Sequence, residues 1–155
     1  MIMKKKLLVL ISIFIPILII DQITKYIIAN NISFYGKITI IKHYFNIVHV
    51  NNTGVAFGIM GNASKYIIIL FTLAIIIALI YVLFRVKIYT NLFIVSSSLI
   101  ISGAVSNLIN RVFQGFVVDF IDIHIYQYHW PSFNVADSCV VVGTILLFIS
   151  IIKYI

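Results

Sequence analysis

Four long apolar runs, at about residues 7–28, 66–84, 91–109 and 136–153, govern what this chain of 155 residues can fold into. Each is close to the roughly 20 residues that an α-helix needs to cross about 30 Å of hydrocarbon. Composition agrees: the chain is 63% hydrophobic, 10% charged and has a mean hydropathy of +1.17. A soluble domain is about half apolar and about a quarter charged. The expected fold class is an all-α membrane protein with four transmembrane helices and a small extracytoplasmic β-sheet and loop subdomain at the outer membrane face. No Pro-, Gly- or Ser-rich linker divides it, so residues 1–155 read as one integral-membrane domain.

The start, Lys4-Lys5-Lys6 followed by Leu7 to Ile20, imitates a signal peptide. No small-x-small cleavage site follows, and apolar character resumes at Ile23, Tyr26, Ile27 and Ile28, so a retained first helix is expected. The net charge of +7 does not point to nucleic acid, because the basic residues are scattered at segment ends rather than gathered on one face. Lys4, Lys5, Lys6, Arg85, Lys87 and Lys153 fall in very short flanks on one side. Lys25, Lys37, Lys42, Lys65 and Arg111 are spread through two long loops on the other. Short flanks weigh most in the positive-inside rule, which puts both termini in the cytoplasm and both long loops outside.

Loop one, about 29–65, carries β-branched and aromatic stretches at Ile38-Thr39-Ile40 and Phe45 to Val50, then a turn signal at Asn51-Asn52-Thr53-Gly54. Loop two, about 110–135, holds Tyr126, Tyr128, Trp130 and Pro131, suited to the headgroup level. A small sheet on the membrane surface, built partly from loop one, is expected.

The acidic residues number only four, all Asp. A carboxylate near lipid costs several kcal/mol unless it is paired, protonated or facing a polar cavity, so each is a candidate for function. Topology sets Asp119 and Asp137 at the outer end of the bundle at similar depth. If they meet, like charge and partial burial leave one proton shared between them. One carboxylate then takes a proton from water while the neutral acid gives one to a carbonyl. The other reading is two buried carboxyls satisfied by Arg111 and nearby amides. Asp122 follows Asp119 by three residues, on the same face if the segment is helical, and a solvated or structural role suits it better. Asp21 precedes Lys25 by four, the favourable order for a helical ion pair that braces the site, with direct substrate contact as the alternative.

Asn52, Asn107, Asn110 and Asn134 gather near the same membrane face, either stitching helices together or gripping a substrate backbone. Gly103 and Ser106 suit close helix packing. Arg111 adjoins the acids and either holds a carboxylate ionised or binds an anionic headgroup. His43, His49, His124 and His129 lie in the outer loops without a metal-ligand spacing, and no metal or cofactor is expected. Cys139, the sole cysteine, excludes an internal disulfide and reads as a packing residue. No G-x-S-x-G elbow is present.

Several strings, in order, resemble the lipoprotein signal peptidases of bacteria, the type II signal peptidases. They are Asp21-Gln22-Ile23-Thr24-Lys25, Asn52-Thr53-Gly54-Val55-Ala56-Phe57-Gly58, and the stretch from Gly103-Ala104 to Asn110-Arg111. Val117-Val118-Asp119-Phe120 and Phe133-Asn134-Val135-Ala136-Asp137-Ser138 complete the set. The resemblance implies an aspartic membrane endopeptidase that removes signal peptides from diacylglyceryl-modified prolipoproteins, cleaving on the amino side of the lipidated cysteine. It carries the catalytic pair to Asp119 and Asp137, and supporting roles to Asp21, Lys25, Asn52, Gly54, Asn107, Arg111 and Asn134. It also implies lipidated prolipoproteins, membrane lipids and globomycin-type inhibitors as partners, a monomer, and a bacterial cytoplasmic membrane location with the site near the outer face. Asn110 stands where that family usually has Asp, and Ser106 where it has Gly. The first change removes an expected ion-pair partner of Arg111, which is then expected to lean on Asp119 or Asp122. A transporter would spread its acids through the membrane depth and carry an inverted repeat, and neither is seen. A presenilin-like protease needs a G-x-G-D motif, which is absent.

Overall fold

The computed structural model describes residues 2–54, 65–85 and 90–153. Helix α1 (Ile2–Asn31) leads into strands β1 (Lys37–Ile41) and β2 (Phe45–Asn52). Helices α2 (Lys65–Arg85) and α3 (Asn91–Phe113) follow, then strands β3 (Val117–Ile125) and β4 (Tyr128–His129), and finally helix α4 (Val135–Ile152). All four helices are long and apolar enough to cross a membrane. α1 and α3 continue past the expected spans, to Asn31 and Phe113, and so lift polar side chains to the foot of the sheet.

α3 is the buried centre, and its sequence explains why. Ser96, Ser97, Ser98, Ser102, Gly103 and Ser106 are all buried on it. Small residues let helix backbones approach closely where lipid provides no hydrophobic drive for association. A Cβ on Gly103 would run into the Ala136 carbonyl and the Val140 side chain. One on Gly143 of α4 would sit 2.9 Å from the Ser96 carbonyl. Two of the buried hydroxyls bond within the helix: Ser98 donates to the Ile94 carbonyl (2.7 Å) and Ser102 to that of Ser98 (2.6 Å). At the end away from the sheet, Leu83, Phe93, Ile94 and Ile101 form the apolar core. There Lys6 is buried and donates to the Leu83 carbonyl (2.7 Å) near the end of α2, where a cation suits the negative pole of a helix.

The sheet is antiparallel in the order β1-β2-β3-β4, with half of its strands drawn from each long loop. Gly115, at φ 81°, makes the turn from α3 into β3. β2 pairs with β3 through Asn46 opposite Asp122 and Val50 opposite Asp119, with an irregularity between Ile47 and Val50. Because 117–125 is a strand rather than a helix, Asp119 and Asp122, three apart, point to opposite faces. The shared face expected for a helical segment is therefore corrected.

Candidate active site

Asp119 is fixed by two strands and a helix end. Asn52, at the end of β2, donates its amide to Asp119 Oδ2 (2.9 Å). Asn52 is itself oriented because its Oδ1 accepts from the Gly54 backbone N–H (2.9 Å), a local turn that Asn favours. From the other side Asn134 Nδ2 donates to Asp119 Oδ1 (2.7 Å). Asn134 is also the N-cap of α4, where its Oδ1 accepts from the Asp137 N–H (2.9 Å) and its own N–H donates to Asp137 Oδ2 (3.2 Å). This reciprocal capping box satisfies two otherwise orphan donors at the helix start. One residue thus bonds both carboxylates, Asp119 through its side-chain amide and Asp137 through its backbone N–H, though they are 18 positions apart in sequence.

Asp137 is reached from behind by a polar chain. Its Oδ1 accepts from Asn107 Nδ2 (2.8 Å), and Asn107 Oδ1 accepts from Lys25 Nζ (2.8 Å). Lys25 pairs with Asp21 at 2.6 Å, both nearly inaccessible to solvent. Asp21 then closes the start of α4, its Oδ1 accepting from the Ala136 N–H (2.9 Å) and its Oδ2 from Ser106 (2.7 Å). A carboxylate at a helix N-terminus is favoured by the aligned peptide dipoles. Buried charge is tolerated here because each ion is paired and hydrogen-bonded.

The two aspartates open on one cavity of about 370 Å³, walled by Trp130, Phe133 and the Val140 to Val142 side of α4. Its lining is mostly apolar, and Val141 and Val142 are themselves exposed, so the cavity lies beside an exposed apolar face of α4. Burial and the neighbouring Asp137 charge push the Asp119 carboxyl up to about 6, against the opposing bonds from Asn52 and Asn134 and the field of Lys25. A carboxyl poised there exchanges protons at physiological pH, as an acid–base group must. Asp122 differs. Burial would raise it, but the Asn46 and His129 hydrogen bonds outweigh burial and hold it below the ordinary carboxylate range.

Comparison with known proteins gives the family and a matching fold. A family model described as signal peptidase (SPase) II matches residues 13–153. The chain belongs to the signal peptidase II family. It is 40% identical over 145 residues to a lipoprotein signal peptidase of Staphylococcus aureus strain MRSA252, covering 94% of this chain and 87% of that protein. The protein of the same name from strain JH9 is 39% identical with the same coverage. A solved structure described as a bacterial membrane enzyme, obtained by the in meso method at 2.3 Å, superposes with a TM-score of 0.86 at 39% identity. It covers 93% of this chain and 87% of that one. A second, at 1.9 Å, gives 0.82 at 39% identity, covering 93% and 92%.

Within this peptidase the structure brings Asp119, Asp137, Asn52, Asn107 and Asn134 directly together, with Asp21 and Lys25 one bond further back. Gly54 acts through its backbone: its carbonyl accepts from Arg111 Nη2 (3.0 Å). Arg111 departs from expectation. It makes no ion pair with Asp119, Asp122 or any other acid among the described residues. Its neighbour Asn110 turns towards Gln22 and Lys25 instead, so a carboxylate there would face Lys25 rather than Arg111. Ser106 does more than pack, since its hydroxyl holds Asp21. The remainder of the loop motif, Val55 to Gly58, lies outside the described residues. Sequence reasoning misses Gln22, whose amide donates to Ser106 Oγ (2.9 Å) and Asn110. The available signal was an amide beside Asp21 in an apolar helix, which must find partners. It also misses the Asn46–Asp122–His129 cluster, which only strand pairing assembles. Among the described residues no three His, Cys, Asp or Glu side chains converge as metal ligands.

Proposed function

We propose that this protein is an aspartyl endopeptidase that removes signal peptides from diacylglyceryl-modified prolipoproteins, cleaving on the amino side of the lipidated cysteine. The observation that carries the reading is the sharing of Asn134 by Asp119 and Asp137 at the mouth of one apolar cavity. An apolar cavity beside an exposed apolar helix face suits a substrate that is part acyl chain and part peptide, entering sideways from the bilayer. The S. aureus relatives carry the name lipoprotein signal peptidase, which points to the same substrates.

In this mechanism Asp119, whose carboxyl is pushed up to about 6, protonates the scissile carbonyl oxygen. Asp137, held by Asn107 and the α4 N-terminus, takes a proton from water as the hydroxide adds to the carbonyl carbon. Collapse breaks the C–N bond. The proton on Asp137 passes to the leaving amine of the lipidated cysteine, and Asp119 recovers its own from the tetrahedral intermediate. The signal peptide leaves with a new carboxyl terminus, so one water is consumed and the proton count closes. Arg111, which bonds the Gly54 carbonyl, and Asn52, which bonds Asp119, are the groups we assign to hydrogen-bonding the extended substrate backbone. The same reading puts the protein in a bacterial plasma membrane as a monomer with both termini cytoplasmic and the site near the outer face. It also makes it a target of globomycin-type inhibitors.

The test is cleavage of a lipidated prolipoprotein by purified protein. Asp119→Asn and Asp137→Asn are each expected to lower the rate by at least about 100-fold, the usual weight of an acid–base group. Unlipidated precursor should resist cleavage, and chelators should leave the rate unchanged. Near-normal cleavage by either folded Asp→Asn variant would remove the aspartyl mechanism.

A further inference from the structure

Asn110 and Gln22 face each other across the α1–α3 contact and exchange two hydrogen bonds. Gln22 Nε2 donates to Asn110 Oδ1 (3.0 Å), and Asn110 Nδ2 donates back to Gln22 Oε1 (3.1 Å). Both amides line a cavity of about 480 Å³ that shares no lining residue with the cavity of the two aspartates. Lys25 lines it too, and Lys25 Nζ donates to Asn110 Oδ1 at 2.9 Å. An ammonium has three protons and no acceptor. Those of Lys25 go to Asp21, Asn107 and Asn110, so its geometry is fully determined. Among the described residues, Asn107 is the partner that in turn bonds a carboxylate of the acid pair, at Asp137 Oδ1.

We infer that Asn110 is a positioning residue of the reaction: locked by Gln22, its neutral amide aims Lys25 at Asn107 and leaves the ammonium's charge to Asp21, Asp119 and Asp137. The inference rests on the aspartyl reading above. A charge at position 110 would be felt, because few others face this region. Among the described residues they are Asp21, Lys25 and Tyr26 from α1, Arg111 from α3 and His49 from β2, with Asp119 from β3 and Asp137 and Cys139 from α4. Lys25 favours the ionised form of Asp119. A carboxylate at 110 would engage the same ammonium, weaken that field and add a negative charge of its own.

The decisive variant is Asn110→Asp, which keeps the size and shape of the side chain. Two measurements read it in detergent: the pH dependence of kcat/KM on lipidated prolipoprotein, and an isotope-edited infrared titration of the aspartate carboxyls, which needs no turnover. Asn110→Asp should raise the Asp119 midpoint by about one pH unit, the effect of a charge several ångströms away at an effective dielectric near 20. The alkaline limb of the rate profile should move with it. Gln22→Glu, one partner further out, should move both in the same direction by less. Gln22→Leu, which unlocks Asn110 without adding charge, should lower kcat about tenfold at unchanged KM. Unmoved midpoints in folded Asn110→Asp and Gln22→Glu overturn the proposal. A midpoint that moves in a protein whose wild type cleaves no lipidated precursor keeps the Lys25–Asn110 coupling but overturns its part in the reaction, and the aspartyl reading with it.

Discussion

Asn134 donates to Asp119 at 2.7 Å with the same side chain whose oxygen caps the helix that carries Asp137. Helix start and acid pair are thereby one structure. Asn134→Ala should lose the cap, worth about 1 kcal/mol, and leave the Asp119 oxygen short of a donor. Both thermal unfolding in detergent and cleavage rate should fall. Asn134→Asp keeps a capping acceptor but sets a further carboxyl against Asp119, so it should recover part of the stability and little of the rate. Equal recovery of both would mean that the cap alone, and not the amide bond to Asp119, sets the rate.

The pH profile carries a definite sign. The folded-state value of Asp119 is raised above 3.8, to about 6, so folding favours its protonated form. That contribution to stability is complete below 3.8 and is lost as pH rises through about 6. Unfolding temperature should decline across this window in the wild type and decline less in Asp119→Asn. The rate should show an alkaline limb as the neutral acid disappears. Asn52→Ala removes a bond to the ionised form and should move that limb upward by roughly one unit in kcat/KM. A limb that moves down, or stays, contradicts the assignment of Asp119 as the titrating acid.

Asp21 and Lys25 should behave as a unit. With exposures of 0% and 3%, removing either leaves a buried charge without its counterion. Asp21→Leu or Lys25→Met alone should cost about 3–5 kcal/mol, and the double variant clearly less than the sum. Thermal unfolding of the four proteins closes the cycle. An additive result would mean that the ion pair contributes no coupling.

Asp122 tests the division between the two faces of β3. It is buried and holds Asn46 (2.7 Å) and His129 (2.7 Å) together. Asp122→Asn should weaken the sheet, lowering the unfolding temperature by a few degrees, while cleavage stays within about twofold of wild type. Loss of activity comparable to Asp119→Asn would place Asp122 in the chemistry.

The bundle was legible because lipid leaves a long apolar run little choice but to satisfy its own backbone as a helix. Asp119 and Asp137 also stood out in the sequence, since unpaired acids are costly where so little else is charged. Loop two was harder. Val117 to Ile125 reads equally as an apolar segment of either period, and pairing with β2 decides that it is a strand. That single choice turns Asp122 away from Asp119 and towards His129.

The amino-acid order by itself determined a four-helix membrane protein whose few acids, Asp119 and Asp137 among them, gather towards one end, because hydropathy and charge are local properties read one segment at a time. Only the tertiary structure decided who holds those acids. Asn134, Asn107 and Lys25 come from separate helices, and the bonds of Asn134 to Asp119, of Asn107 to Asp137 and of Lys25 to Asn107 exist only once α1, α3 and α4 have packed. Arg111 makes the same point in reverse: adjacent to the acids in topology, it bonds the Gly54 carbonyl instead. A hydrogen bond depends on angles and on distances of a few tenths of an ångström, which no one-dimensional pattern encodes.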